Sequence, residues 1–170
     1  TLWQIKTFPF DANRKTSSSL VLVQGADNEA CRLYKLIKGS PDVVQGLVSI
    51  DNNYFGDTVT QLGEEGYRVI AMGIQDVTND TELVDKIFPT GLPTIANNAT
   101  STKSTIKKAK KVAQKALHRD SMEASGFDFC GFSCFEAVVR PSTPRIIKEL
   151  QQAKMGVTML TGDGVDAAVS

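Results

Sequence analysis

Leu2 to Phe10 mixes apolar and polar residues in the manner of a β-strand, and Leu20-Val21-Leu22-Val23 follows as a β-rich run. Gly25 to Glu29 is turn chemistry, and Cys31 to Lys38 alternates again, so the second and third runs predict an antiparallel hairpin. Ser40-Pro41-Asp42 supplies an N-cap with proline at the first helical position, which predicts a short helix through Val43 to Val48. Tyr54, Phe55, Val59 and Leu62 recur at helical spacing. Gly66 then closes that helix, and Tyr67 to Met72 is strand-like.

From Phe88 to Ser104 the chain is rich in Pro, Gly, Asn, Ser and Thr, which predicts a long surface loop. Thr105 to Arg119 is a helix with a stripe of Ile106, Ala109, Ala113 and Ala116 and lysines elsewhere. Phe127 to Phe135 is apolar on both alternating faces, as in a strand of a covered, mainly parallel sheet. A helix over Ile146 to Ala153 and a buried strand over Val157 to Leu160 complete the pattern. No internal repeat is present. The fold class is α/β, with an antiparallel sheet flanked by helices over residues 1–124 and a strand–helix–strand piece over 125–170.

Composition changes this picture little. In 170 residues, 41% hydrophobic and 22% charged, one domain and an appended piece can be built. A formal net charge of zero removes any global argument for nucleic acid or an anionic membrane surface. Three cysteines are too few for a disulfide framework and fit a reducing compartment. No apolar run approaches the ~20 residues that cross a bilayer, so this piece is expected to be a soluble part even of a membrane protein. The opening at Thr1-Leu2-Trp3, already inside a strand-like pattern, and the end at Ala168-Val169-Ser170 predict a piece of a longer chain.

Four segments could carry chemistry. In Phe8-Pro9-Phe10-Asp11-Ala12-Asn13-Arg14-Lys15-Thr16 an aromatic ring at a strand end, Phe10, is followed five residues later by Lys15, and can stack a purine while the lysine neutralises a phosphate. A core phenylalanine before a solvated basic turn is the simpler reading of this segment alone. In Lys38-Gly39-Ser40-Pro41-Asp42 the glycine lets a ligand approach the backbone, beside a helix N-terminus and a mobile cation. A strand-to-helix turn whose glycine and proline serve geometry only is the simpler reading of this segment alone. In Gly66-Tyr67-Arg68-Val69-Ile70-Ala71 an arginine within an apolar strand needs a partner, either Glu64 or Glu65 or a ligand phosphate. In Met159-Leu160-Thr161-Gly162-Asp163 a hydroxyl and a carboxylate stand at the carboxyl end of a strand, where phosphates and Mg²⁺ sit in open α/β sheets.

Taken together, the order and spacing of these segments resemble the P-type ATPases over essentially the whole chain. That family carries F-x-x-x-x-K-like, K-G-A-P-E, G-x-R-x-L-A and M-I-T-G-D segments in this order. The resemblance implies that Phe10 stacks adenine, Lys15 lies near the nucleotide, Lys38 and Gly39 back the ATP pocket, and Arg68 contacts phosphate or ribose. Thr161 and Asp163 would act near the phosphoryl group and Mg²⁺. It implies a nucleotide-binding domain over 1–124 and a fragment of a Rossmann-like, haloacid-dehalogenase-type phosphorylation domain over 125–170. ATP and Mg²⁺ would be the cofactors. The partners would be the parent's own phosphorylation, actuator and membrane domains at the cytosolic face of a membrane. Phe127 to Phe132 and Ile146 to Ala153 look closest to the type V, subfamily A pumps of the endoplasmic reticulum.

Ser17 stands where members often have methionine, and Gly164 where many have asparagine. The D-K-T-G-T segment that supplies the phosphorylated aspartate does not occur, so this chain is expected to bind nucleotide without turning it over. A different class of function is an interaction module docking acidic lipid or protein through Lys103, Lys107, Lys108, Lys110, Lys111 and Lys115. A solvated lysine face is the simpler account of that helix. A free-standing phosphatase built on Thr161 to Asp163 lacks its nucleophile. His118 is expected to serve a helix C-terminus, and Cys130 and Cys134 to be buried structural thiols.

Overall fold

The computed structural model describes residues 1–24, 30–93, 99–136 and 138–160. The turn predicted at Gly25 to Glu29 and the Thr161-Gly162-Asp163 segment lie outside them. Two compact units are formed, one from residues 1–52 and 70–132, the other from residues 53–69 and the chain from Ser133 onward.

The strands are β1 (Leu2–Asp11), β2 (Thr16–Gln24), β3 (Cys31–Gly39), β4 (Val48–Ser49), β5 (Tyr67–Asp76) and β6 (Phe127–Glu136). The helices are α1 (Pro41–Val44), α2 (Asn52–Glu64), α3 (Thr81–Ile87), α4 (Ala99–Ala116), α5 (Arg119–Met122) and α6 (Thr143–Gln152). One mixed sheet has the order β1-β2-β3-β5-β6-β4. Its β1/β2, β2/β3 and β3/β5 pairs are antiparallel, whereas β4 and β6 run parallel through Val48–Phe127 and Ser49–Asp128. The α/β class and the β2–β3 pairing predicted from periodicity are both present.

In the first unit the strand period sorts side chains onto two faces. Leu20 and Leu22 of β2 and Cys31 and Leu33 of β3 are buried beneath Ile106, Ala109 and Ala113 of α4 and Leu117 just after it. Alanines at the middle of that stripe let α4 lie close against β1, and its lysines 103, 107, 108, 110, 111 and 115 are all exposed. The buried Lys6 of β1 reaches the other end of this contact. Its Nζ donates to the carbonyls of Ala113, Gln114 and Leu117 at 3.1, 3.0 and 2.8 Å. One ammonium thereby draws together carbonyls at and just beyond the C-terminal end of α4, that of Ala113 also accepting from the Leu117 amide at 3.1 Å.

The missed helix is α3. Asp80 caps it, accepting from the Leu83 amide at 3.0 Å, while Val84, Ile87 and Phe88 are buried. Asp80 followed by Leu83, Val84 and Ile87 is an N-cap ahead of helical spacing, so the signal was there to be used. The predicted 88–104 loop is correspondingly shortened, because α4 begins at Ala99. α4 also stops at Ala116, and His118 stands at the N-cap position of α5 with no side-chain capping bond, two residues past the end of α4.

Three further expectations are corrected. Val157 to Leu160 forms no strand and is exposed, because a single strand gains nothing without a neighbour to accept its ladder. Cys130 and Cys134 are exposed, not buried. Gly131 takes a φ of 131°, which interrupts the simple alternation on which their burial was predicted. In β6 only Phe127 is fully buried. In the second unit α2 buries Phe55, and α6 leaves Ile146, Ile147 and Leu150 exposed.

Candidate functional site

The β1–β2 hairpin turn and the β3–α1 corner meet in the first unit. Asp11 opens the turn, its Oδ1 accepting from the Asn13 amide at 2.9 Å and the Arg14 amide at 3.2 Å. These backbone donors, Arg14 first, hold the Asp11 carboxyl below the usual carboxylate range. Lys15 closes the turn with its amide donating to the Asp11 carbonyl at 2.7 Å and a left-handed φ of 54°. The Lys15 carbonyl then accepts from the Ser40 amide at 2.9 Å, and its ammonium pairs with Asp42 at 3.0 Å. The Ser40 hydroxyl also donates to Asp42, and this bond, ahead of Lys15, lowers the Asp42 pKa.

Gly39 is explained by this meeting. A Cβ there would stand 2.3 Å from the Lys15 carbonyl oxygen and 2.9 Å from Thr16 Cγ2. The close approach is made by the chain's own backbone. α1 is a single turn of four residues, so the helix end expected at Pro41 contributes little dipole.

Lys38 points the other way. It pairs with Ser17 on β2 and Met72 on β5, on the sheet face opposite the α4-covered core. There a cavity of about 300 Å³ is lined by Ser17, Ser19, Leu36, Lys38, Met72 and Cys130 among others. Apolar walls, hydroxyls and one cation suit a planar ring system with polar edges, at the small end of the ~300–1,000 Å³ seen for ligand sites.

The structure thus brings Lys15, Gly39 and Asp42 together and puts Lys38 on a cavity wall. Phe10 is 65% exposed and is not among the residues lining that cavity. The ring held by cations is Phe8, with Lys6 Nζ 4.6 Å and the Arg119 guanidinium 5.4 Å from its centroid. Phe8 packs against the core, so a phenylalanine near a basic turn does serve packing, two residues earlier than predicted. Arg68 belongs to the second unit and is exposed at the start of β5, which removes the burial argument for its partner. Thr161 and Asp163 lie outside the described residues. No group of three or more His, Cys, Asp or Glu able to hold a metal ion occurs among the described residues. Nothing local marks Arg119 and Glu123, whose partners Thr16, Ser18 and Pro9 are over a hundred residues away.

The fold is an α/β unit with a cavity on one face of its sheet. The comparison with known proteins narrows it. The chain is similar to human Polyamine-transporting ATPase 13A3, 23% identical over 171 residues that cover 98% of this chain and 11% of that protein. It is likewise similar to human Polyamine-transporting ATPase 13A2, 25% identical over 165 residues, 96% of this chain and 11% of that protein. The Polyamine-transporting ATPase 13A3 of Macaca fascicularis matches over the same share at 23% identity. This similarity supports a P-type ATPase relationship for the chain, which spans only about a ninth of the length of these relatives. No family model matches the chain. No helix among the described residues is long and apolar enough to cross a membrane.

Proposed function

We propose that this chain is the nucleotide-binding part of a membrane P-type ATPase, joined near residue 124 to a strip of the phosphorylation domain. The observation that carries the reading is the cavity walled by Lys38, the first residue of the Lys-Gly-Ser-Pro-Asp segment, on the open face of the sheet. Similarity to ATPases along almost the whole chain supports it, and disfavours a free-standing interaction module on the α4 lysines. Exposed Ile146, Ile147 and Leu150 in α6 are what a piece lacking the rest of its own layer would display.

In this reading the adenine enters the cavity edge with Phe10 closing over it, and Lys38 and Lys15 attract the phosphates. Gly39 lets the turn pack closely, and Arg68 contributes a phosphate or ribose contact in the assembled parent. Thr161 and Asp163 help form the receiving site. The parent would transfer the γ-phosphoryl of Mg·ATP to an aspartate upstream of this chain, chemistry that is mostly positioning and charge neutralisation. Domain movement would convert that step into transport at the cytosolic face of a membrane. The endoplasmic reticulum and subfamily A placement rest on residues 127–132 and 146–153 alone. What the parent carries is set by segments outside this chain.

Calorimetric titration with ATP, ADP and GTP tests the reading. A pocket formed by one domain should bind ATP with an affinity on the order of 0.1 to several mM, in preference to GTP. Lys38→Ala and Phe10→Ala should each abolish saturation in that range. A folded protein that binds no nucleotide at millimolar concentration would sink the proposal.

A further inference from the structure

Arg119 and Glu123 belong to none of the segments assigned to nucleotide, yet their side chains hold the β1–β2 hairpin that carries Phe10 and Lys15. Arg119 Nη2 donates to the Pro9 carbonyl at 2.5 Å, and Nη1 donates to the Thr16 carbonyl at 3.3 Å. Pro9 immediately precedes Phe10, and Thr16 immediately follows Lys15. One planar guanidinium therefore ties together the two ends of the 10–15 turn.

The guanidinium is itself fixed. Nη1 donates to Glu123 Oε1 at 2.9 Å, and the same carboxylate accepts from the Thr16 and Ser18 hydroxyls, each at 2.8 Å. The two charged side chains are only 16% and 5% exposed. A pair so withdrawn from water, with its acceptors filled, keeps one geometry, because any departure strands a buried charge. The face of Phe8 lies against the same guanidinium. Arg14, inside the turn, pairs with Asp120 at 2.6 Å on the adjacent residue of α5.

We infer that Arg119, oriented by Glu123, is the positioning residue that presets Phe10 and Lys15 for nucleotide. The inference rests on the nucleotide reading above. Phe10 is largely exposed and Lys15 is held by a surface ion pair, so neither is fixed by burial. The clamp at the base of the turn removes the freedom that a ligand would otherwise have to freeze out on binding. Lysine cannot substitute, since a point-charge ammonium does not span two carbonyls and a carboxylate as a planar fork does.

Two measurements on the whole chain test the clamp. The first needs no ligand. In Arg119→Lys, which keeps a cation beside Glu123, the Lys15 amide (bonded to the Asp11 carbonyl) and the Ser40 amide (bonded to the Lys15 carbonyl) should exchange faster with solvent deuterium. The amides of Leu20 and Leu22 should be unchanged. Unchanged exchange at Lys15 and Ser40 overturns the clamp, whatever ATP does. The second is a mutant cycle. Arg119→Lys and Arg119→Met should each weaken ATP binding about three- to tenfold, and should weaken it markedly less in a chain already carrying Lys15→Ala. Losses that simply add would make Arg119 a structural residue and overturn the inference. Faster exchange in a chain whose wild type binds no ATP would leave the clamp as architecture, and would overturn the nucleotide reading and Arg119's part in it.

Discussion

Gly39 shows how one position can couple two segments. Its missing Cβ is replaced by the Lys15 carbonyl and the Thr16 methyl, so any side chain there pushes the β1–β2 turn away from the α1 corner. Gly39→Ala should cost about 1–3 kcal/mol of stability, as overpacking against fixed backbone does. It should also break the Lys15–Asp42 pair. Thermal unfolding reads the first effect, and the Lys15 side-chain NMR signals read the second. A stable Gly39→Ala protein with the Lys15 signals unmoved would show that the turn yields freely. The carboxyls on either side of this contact make a second, pH-dependent statement. Asp11 and Asp42 are both held below their ordinary pKa, by the Arg14 amide and the Ser40 hydroxyl respectively. A group whose folded pKa is depressed contributes its stability in full above the unfolded value, about 3.9, and loses it as pH falls through the folded value. The turn should therefore stay formed at neutral and mildly acidic pH and loosen only below the ordinary carboxylate range. An NMR titration of the Asn13 and Arg14 amides checks this, and a midpoint at the ordinary value would contradict it.

At the scale of elements, α4 is held by its apolar stripe along its length and by Lys6 at its end. The stripe was legible: alanines at helical spacing with lysines between them describe a helix with one packed face. Lys6 was not legible, because nothing in a strand sequence says that its lysine turns inward to meet a helix terminus 107 residues later. Lys6→Met keeps the apolar stem but takes the ammonium away from the carbonyls of Gln114 and Leu117 and from that of Ala113, which keeps only the Leu117 amide. It should destabilise the protein by about 2 kcal/mol and fray the last turn of α4. Amide exchange of the α4 C-terminal turn against its middle measures the fraying, and uniform protection along α4 would refute it. The same distinction accounts for α5. Its four residues carry too little periodicity to be read as an element, yet Arg119, Asp120 and Glu123 all reach the β1–β2 hairpin.

At the scale of the whole molecule, the cavity on the sheet provides its own reporter. Cys130 lines it and is exposed, Cys134 is exposed and absent from its lining, and Cys31 is buried. Desolvation first, and then the Asp128 charge, raises the Cys130 thiol, so its alkylation should quicken as pH rises toward and past that thiol's range. If nucleotide occupies the cavity, saturating ATP should slow alkylation of Cys130 and leave Cys134 unaffected, as peptide mass analysis of the modified chain would record. Equal rates with and without ATP would place the ligand elsewhere.

Local pattern alone determined the α/β class, five of the strands, the amphipathic α4 and the order of the four candidate segments. These depend on side-chain period and turn chemistry, which act over a few residues. Tertiary structure decided which candidates meet. It placed Lys15 beside Gly39 and Asp42, turned Lys38 to the opposite face, packed Phe8 against the core while leaving Phe10 exposed, and set Arg119 across the base of the hairpin. Those outcomes turn on which face of a strand is covered and on hydrogen bonds between residues far apart in sequence. Such pairings have no local signature, because their free energy exists only once the chain has closed the distance between the partners.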